Sequence, residues 1–181
     1  MLRALFLLLA GLVGAALLHI VIIMAIPRYA DRNAWKQIEA LGPTNFFHVL
    51  PPGRESLLSY SNPFVRSAIC RFDIADQPVR VSSESESPYW SLAIFNSASD
   101  EIYSMNDRSS SDRGLDVVIA TPRQMTRYRK NLPGILSEAV LIEYPGNEGY
   151  LALRTVSPDP SWEEISRQFL ADADCSPVPE S

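Results

Sequence analysis

The feature that most constrains this chain is an apolar run close to its N-terminus. From Ala4 to Ile26 the sequence has no charged residue, and His19 is its one interruption. As a helix that rises about 1.5 Å per residue, the run reaches about 35 Å, enough to cross a hydrocarbon core about 30 Å thick. The sequence therefore predicts a transmembrane anchor at 1–26, a juxtamembrane amphipathic helix at 27–42 and a β-rich soluble domain at 43–181.

The length of this run separates a retained anchor from a cleaved signal peptide. The apolar part of a signal peptide is usually about 7–15 residues long and ends at a small-x-small cleavage site. This run is longer, and its exit begins with bulky residues, although Ala30 lies near a candidate cut. We interpret the run as a retained single-pass anchor, and cleavage stays open as the alternative.

Two features of the sequence disagree about the side of the membrane on which the domain lies. Basic residues usually stay in the cytoplasm. Arg28, Arg32 and Lys36 follow the run while Arg3 and the terminal amine precede it, and that count favours a cytoplasmic domain. A short head before an apolar run is instead typical of a signal-anchor that exports the following chain, and an even cysteine count suits an oxidising compartment. On balance we expect a periplasmic domain.

The chain beyond the apolar run is acidic. Arg3 is the one charged residue before Pro27, so the following chain holds 15 of the 16 basic residues and all 21 acidic ones. An acidic domain repels a phosphate backbone, so we expect no nucleic-acid partner. The 14 prolines are spread along the chain and favour many turns between short strands.

Alternation of apolar and polar residues predicts a sheet-rich domain. Between Ala68 and Ile74 every second residue is apolar, which places Arg71 and Asp73 on the opposite, polar face of a strand. Further strands are predicted at 78–82, 89–96, 101–106, 115–120, 139–143 and 149–156, with turns at 43–67, helices capped by Thr121 and Ser161, and an irregular tail. The fold expected is mainly β, an antiparallel β-sandwich or jelly-roll-like domain with two short helices.

The two cysteines are a candidate disulfide. Cys70 lies in the first predicted strand and Cys175 in the tail. A bond between them would close a loop of over 100 residues, worth about 4–5 kcal/mol in the chain-entropy model. The alternative is a buried core thiol at Cys70 and an unrelated thiol at Cys175.

Short motifs occur along nearly the whole chain. They are His19 and Pro27 in and after the apolar run, Cys70–Asp73, Trp90–Ser91, Tyr103–Arg108 and Thr121–Gln124. In these motifs the chain resembles the bacterial membrane-protein family called domain of unknown function 1254. The resemblance implies a β-rich domain at the bacterial inner membrane and a companion, domain of unknown function 1214, either fused in longer relatives or encoded separately. It implies no settled activity.

The most polar motif is a candidate ligand site. Asn106, Asp107 and Arg108 end a predicted strand and enter a loop, where side chains can converge on a ligand. Arg71 and Asp73 would join them if the two strands are neighbours. Together they would form a polar pocket for an anionic or hydroxyl-bearing ligand. The alternative is an Asx turn with an Asp–Arg pair that holds the loop.

The helix after Thr121 carries a candidate contact surface. Arg123, Arg127 and Lys130 are spaced at i, i+4 and i+7 and fall on one helix face. We predict contact of this face with anionic lipid headgroups or an acidic partner, the alternative being a solvated face. Met125, Tyr128 and Leu132 fall on another face, which we expect to dock on the sheet.

No motif predicts a metal or a cofactor. The acidic loop after Asp107 has Asp112 where a calcium loop needs glycine and Val118 where it needs glutamate. His48 is the sole histidine beyond the anchor, and no nucleophile elbow is present. We predict a membrane-anchored binding or assembly module that works with a companion protein; the alternative is an enzyme or enzyme subunit that uses the polar pocket.

Overall fold

The fold is a two-sheet β-sandwich behind one long N-terminal helix. A computed structural model describes residues 2–51, 62–110 and 114–179, with the backbone alone described at 27–33. Among these residues the helices are α1 Leu2–Glu39, α2 Pro122–Tyr128 and α3 Pro160–Ala171, and a 3-10 turn spans Gly134–Leu136. The strands are β1 Phe46–Val49, β2 Val65–Asp73, β3 Val79–Ser83, β4 Trp90–Asn96, β5 Glu101–Asn106, β6 Leu115–Ala120, β7 Val140–Glu143, β8 Glu148–Val156 and β9 Ala173–Pro177.

The strands form two sheets. Sheet A has five strands in the order β1-β2-β8-β4-β5, and every neighbouring pair is antiparallel. Sheet B has four strands in the order β7-β6-β3-β9. Its β6–β7 pair is parallel because α2 and the 3-10 turn carry the chain back between them, whereas its other pairs are antiparallel. The expected mainly β sandwich is confirmed, with this one parallel pair.

The core lies between the two sheets and is filled from both. The alternation predicted for β2 is confirmed: Cys70 and Phe72 point into this core and are fully buried. Val81 of β3 and Val117 of β6 meet them from sheet B. Phe169 of α3 belongs to the same cluster, so α3 adds its apolar face to the sandwich core.

Part of the outer face of sheet A, around Ile69 and Tyr150, is covered by the last turns of α1. Trp35 and Ile38 pack against Ile69 and Tyr150, and the rings of Trp35 and Tyr150 are 6.2 Å apart. Ile69 is therefore fully buried although it lies on the face opposite the sandwich core. This contact attaches the long helix to the folded domain.

The outer face of sheet B is covered in the same way. Val118 of β6 is fully buried and contacts Leu136 of the 3-10 turn and Val178 near the C-terminus. Tyr128 of α2 packs against the same cluster. Burial on both faces explains why β6 reads as a continuous apolar run rather than an alternating one.

The N-terminal part of α1 packs against no other element that the structure describes. Its segment Leu2–Ile26 is long enough and apolar enough to cross a membrane. None of this segment is buried against the described residues. The helix continues through Pro27 to Glu39, where the sequence suggested a joint between two helices. A proline removes one backbone hydrogen bond and often kinks a helix, but the chain can remain helical on both sides of it.

The predicted disulfide is present and crosses the core. Cys70 of β2 is bonded to Cys175 of β9, with their Cα atoms 6.6 Å apart and a sequence separation of 105. Because β2 belongs to sheet A and β9 to sheet B, the bond links the two layers.

Two short strands were not expected. β1 lies in the 43–67 segment predicted to be turns, and β9 lies in the tail predicted to be irregular. Each forms at an edge of a sheet, where a longer strand supplies its hydrogen bonds: β2 for β1 and β3 for β9. Phe47 and Cys175 then point into the core and are buried.

The cap of α3 also differs from the prediction. Asp159, not Ser161, is the N-cap: its side chain accepts a hydrogen bond of 2.8 Å from the Ser161 backbone N–H. Pro160 takes the first helical position, where its missing N–H is not needed. Thr121 is confirmed as the cap of α2, and Gln124 completes a capping box with it.

Candidate functional site

The five polar residues predicted to form one pocket lie in two separate places. Arg71 and Asp73 are on β2, whereas Asn106 ends β5 and Asp107 and Arg108 begin the following loop. Strands β8 and β4 lie between β2 and β5. At about 4.8 Å per strand, β2 and β5 are about 14 Å apart. The strands are not neighbours, so the condition for a shared pocket is not met.

Arg71 and Asp73, the two predicted site residues on β2, contact residues of their own strand end and of the neighbouring strands. Arg71 lies between Phe46 on β1 and Tyr150 on β8, and its Nε is buried without a hydrogen-bond partner among the described residues. The Asp73 carboxylate accepts a 2.9 Å hydrogen bond from the Ala75 backbone N–H. Asp73 therefore stabilises the turn that ends β2.

Asn106 organises the loop after β5. Its Oδ1 accepts hydrogen bonds from the Arg108 backbone N–H at 3.0 Å and from the Ser109 hydroxyl at 3.1 Å. This is the Asx-turn geometry that the sequence left open as the alternative. Within the described part of the chain, Asp107 and Arg108 form no ion pair with each other.

Asn106 and Asp107 also line a groove on sheet A. The groove has a volume of about 290 Å³ and contains Ser91 of β4 and Arg154 of β8. Arg154 is opposite Ser91, and Ser91 is opposite Asn106, so the three residues form one row across adjacent strands. We call this feature the Arg154 groove. Its remaining lining residues are aromatic or apolar: Val65, Tyr89, Trp90 and Val156.

Arg154 is the main charge of this groove. It is half-buried on a strand whose other residues from 149 to 155 are buried. Burial lowers the pKa of the guanidinium, while the charges of Glu101 and Tyr150 act in the opposite direction. An arginine stays charged under these conditions, and among the described residues its side chain makes no hydrogen bond or ion pair. Its donors are therefore available to a ligand.

The groove also holds a carboxylate. Asp107 is half-buried, and its side chain makes no hydrogen bond within the described ranges. Asn106 uses its side-chain oxygen in the Asx turn, which leaves its NH₂ group as a donor. The groove thus offers a cation, an anion and an amide without pairing Arg154 with Asp107, an arrangement suited to binding a polar ligand.

Arg154 was not predicted as a site residue, although the sequence contains a signal for it. Arg154 is the one charged residue in the mainly apolar stretch Tyr150–Val156. A charge inside a strand that reads as buried either has a partner or marks a site. The row that joins it to Asn106 could not be seen, because it depends on strand order.

The predicted basic surface is only partly a helix face. Arg123, Arg127 and Lys130 are all exposed, but α2 ends two residues before Lys130. Met125 is buried as expected, whereas Leu132 is 37% exposed and the prediction that it docks on the sheet is wrong. It lies beyond the C-terminus of α2, so the helical spacing no longer applies to it. Arg127 lines a second groove, of about 350 Å³.

His48 has a structural environment. Its Nε2 lies 3.1 Å from the Pro43 carbonyl oxygen, and its ring packs edge-on against Phe46 at 5.4 Å. Within the described ranges, no group of three or more histidine, cysteine or acidic side chains is placed to hold a metal ion.

Comparison with known proteins identifies the fold and no activity. No family model matches the chain, and no curated protein matches it. The fold is similar to the crystal structure of the VPA0106 protein from Vibrio parahaemolyticus, with a TM-score of 0.60 and 16% identity over 84% of this chain. It is also similar to an uncharacterised protein from Burkholderia cenocepacia, with a TM-score of 0.50 and 11% identity over 84% of this chain.

Both solved structures are longer than this chain. The match covers 39% of the Vibrio protein and 40% of the Burkholderia protein. At these identities the likeness extends to the fold alone.

Proposed function

We propose that this protein is a membrane-anchored, extracytoplasmic binding or assembly module that works with a companion protein. The observation that carries the proposal is the length comparison: the same fold occupies about two-fifths of each of two longer chains. In those chains the sandwich is one part of a larger polypeptide. The resemblance to the family of domain of unknown function 1254 supports the same arrangement, with domain of unknown function 1214 as the companion.

The proposed location is the periplasmic face of a bacterial inner membrane. Leu2–Ile26 exposes apolar side chains around the whole helix, and these side chains need an apolar environment. The Cys70–Cys175 disulfide suits an oxidising compartment. A helix of this kind near an N-terminus also fits a signal sequence, so retention of the helix is part of the proposal.

Purification from the native membrane tests the companion. The tagged full chain is isolated in mild detergent, and the proteins that accompany it are quantified by mass spectrometry. A stoichiometric second protein is expected. The control carries residues 1–42 fused to an unrelated soluble domain, which keeps the anchor and removes the sandwich. Recovery of the same protein with this control, or of no stoichiometric protein with the full chain, would contradict the proposal.

Protease treatment tests the location. Protease added to spheroplasts is expected to degrade the domain while a cytoplasmic marker stays intact. The mass of the intact chain, measured in the same preparation, shows whether Leu2–Ile26 is retained. A protected domain, or a chain that has lost this segment, would contradict the corresponding part of the proposal.

The enzyme alternative has less support. It was centred on a pocket shared by Arg71, Asp73 and the Asn106–Arg108 loop, and the structure provides no such pocket. The groove that Asn106 and Asp107 do line has no histidine or cysteine among its lining residues.

A further inference from the structure

We propose that the Arg154 groove binds a small zwitterion, a molecule in which an anionic group and an ammonium group lie a few bonds apart. The site goes beyond the proposed function and does not depend on a companion protein. It is built by three adjacent strands of sheet A, β8, β4 and β5, and by the first residue after β5. These are hydrogen-bonded strands, so the polar groups of the site are held by a rigid scaffold.

Arg154 supplies the contact to the anionic group. The guanidinium has lost part of its water through burial, and no described side chain replaces that water with a hydrogen bond or an ion pair. A planar guanidinium binds a carboxylate or phosphate through two parallel hydrogen bonds. Ser91 lies beside Arg154 on β4 and can add a hydroxyl donor to the same group.

The acidic residues select for a second, positive group. Asp107 lines the groove, and the negative charge of Glu101 also acts on Arg154, where it opposes the effect of burial on the pKa. A ligand with only a negative charge would be attracted by Arg154 and repelled by both carboxylates. A ligand with only a positive charge would face the opposite problem. A zwitterion satisfies Arg154 and Asp107 together, which matches two opposite charges that form no ion pair with each other.

The size and the apolar wall of the groove limit the ligand to a small molecule. A volume of about 290 Å³ is at the lower end of the range for small-molecule sites. Tyr89 is 51% exposed, and its ring packs against Trp162 at 5.8 Å, so the wall that it forms is supported from behind. This wall can accept a short apolar side chain of the ligand.

The same chemistry has two sources at a membrane surface. One is a free amino acid, whose carboxylate and ammonium are attached to the same carbon. The other is the phosphoethanolamine headgroup of a phospholipid. The full chain in detergent is therefore titrated with pools of amino acids and, separately, with phosphoethanolamine, while its thermal unfolding and its binding heat are measured.

Binding by at least one zwitterion is expected, and the probe that binds identifies the source. Propionate and ethylamine, which each carry one of the two charges, are expected to bind at least 10-fold more weakly. Arg154→Gln and Asp107→Asn are each expected to weaken binding by about 10- to 100-fold, the effect of losing a hydrogen bond to a charged group.

Matched controls come from an exposed ion pair outside the groove. Arg167→Gln and Glu164→Gln remove the same kinds of charge from α3 and are expected to leave binding unchanged. Circular dichroism shows whether each variant is folded. If Arg154→Gln is unstable, Asp107→Asn still tests the site, because Asp107 lies in a loop and not within a strand. The proposal is overturned if no zwitterion binds the wild type, if single-charge probes bind equally well, or if both groove variants bind like the controls. None of these results bears on the companion protein, which is tested by co-purification.

Discussion

Gly149 is a position where the neighbouring backbone and side chains leave no room for a side chain. A Cβ built on Gly149 would lie 2.5 Å from the Phe95 carbonyl oxygen and 2.6 Å from the Tyr144 hydroxyl. Phe95 is on the neighbouring strand β4, and its backbone is fixed by the ladder with β8. Tyr144 is fully buried and donates a 2.7 Å hydrogen bond to the Glu148 carbonyl oxygen. Neither neighbour can move without the loss of a hydrogen bond.

Gly149→Ala is therefore expected to destabilise the protein strongly. Overpacking of a dense core costs about 1–3 kcal/mol, and the backbone contact places this variant at the upper end of that range. The free energy of unfolding is measured by urea titration of the full chain in detergent. Gly114→Ala is the control, because its added methyl group has no heavy atom of the described residues within 4 Å, its chain neighbours apart. Equal midpoints for the two variants would show that the close approach is absent.

Single residues were predicted from the sequence where a local rule applied and missed where a distant partner decided. Thr121 was recognised as a cap because the capping groups lie within four residues of each other. Asn106 and Asp107 were recognised as polar residues at a strand end. Arg154 was missed, since its neighbour Ser91 is more than 60 residues away along the chain. No local pattern specifies that pairing.

At the scale of elements, α3 has a capped first turn and an ion pair to β2 in addition to the apolar face that it packs into the core. Asp159 caps the helix, and Glu163 forms an ion pair with Arg66 at 2.9 Å. The long strands were predicted from alternation, because each has enough residues to show a period of two. β1 and β9 are only four and five residues long, and both lie near prolines, so pattern alone could not distinguish them from turns.

The cap assignment gives a direct comparison of two neighbouring residues. Asp159→Ala is expected to lower the free energy of unfolding by about 1 kcal/mol, because it leaves an N-terminal helix N–H without its acceptor. Ser161→Ala is expected to cost clearly less, since the Ser161 backbone N–H that binds the cap is retained. Both are measured by urea titration at pH 7. A larger loss of unfolding free energy for Ser161→Ala than for Asp159→Ala would show that Ser161 is the N-cap, as the sequence predicted.

The Arg66–Glu163 pair predicts a dependence of stability on pH. Hydrogen bonds from Arg66 and then from Ser157 hold the pKa of Glu163 below its usual value of 4.5. The stabilisation from this carboxylate is therefore complete above about pH 4.5 and is lost as the pH falls through the lower, folded-state pKa.

Glu163→Gln is expected to lower stability at pH 7 and to flatten the loss of stability below pH 4.5. Stability is measured by urea titration across pH 3–7. Glu138→Gln, which removes an exposed carboxylate with no ion pair among the described residues, should leave the profile unchanged. An identical acid limb for Glu163→Gln and the wild type would contradict the linkage.

For the whole molecule, the class of fold was predictable and the arrangement of strands was not. The acidic, proline-rich, alternating sequence indicated a β-sandwich, which is confirmed. The order β1-β2-β8-β4-β5 places strands from distant parts of the chain side by side, and no residue pattern encodes that order. The predicted pocket was wrong for this reason: its two halves were correct as polar segments but belong to strands that do not touch.

The disulfide predicts a large contribution to overall stability. Reduction of Cys70–Cys175 is expected to lower the free energy of unfolding by about 4–5 kcal/mol, the chain-entropy value for a loop of about 100 residues. Urea midpoints are measured before and after reduction, with complete reduction verified by alkylation and mass. The variant Cys70→Ala with Cys175→Ala should match the reduced protein. Unchanged midpoints after verified reduction would contradict the prediction.

The strand order of sheet A also has a consequence for the order of events during synthesis. β8, the central strand, begins at Glu148, more than 100 residues after the apolar segment of α1 ends at Ile26. A ribosome releases the N-terminus first, so sheet A has no middle strand until most of the polypeptide has emerged. The apolar segment is therefore complete, and able to contact other molecules, while the sandwich behind it is still unfolded.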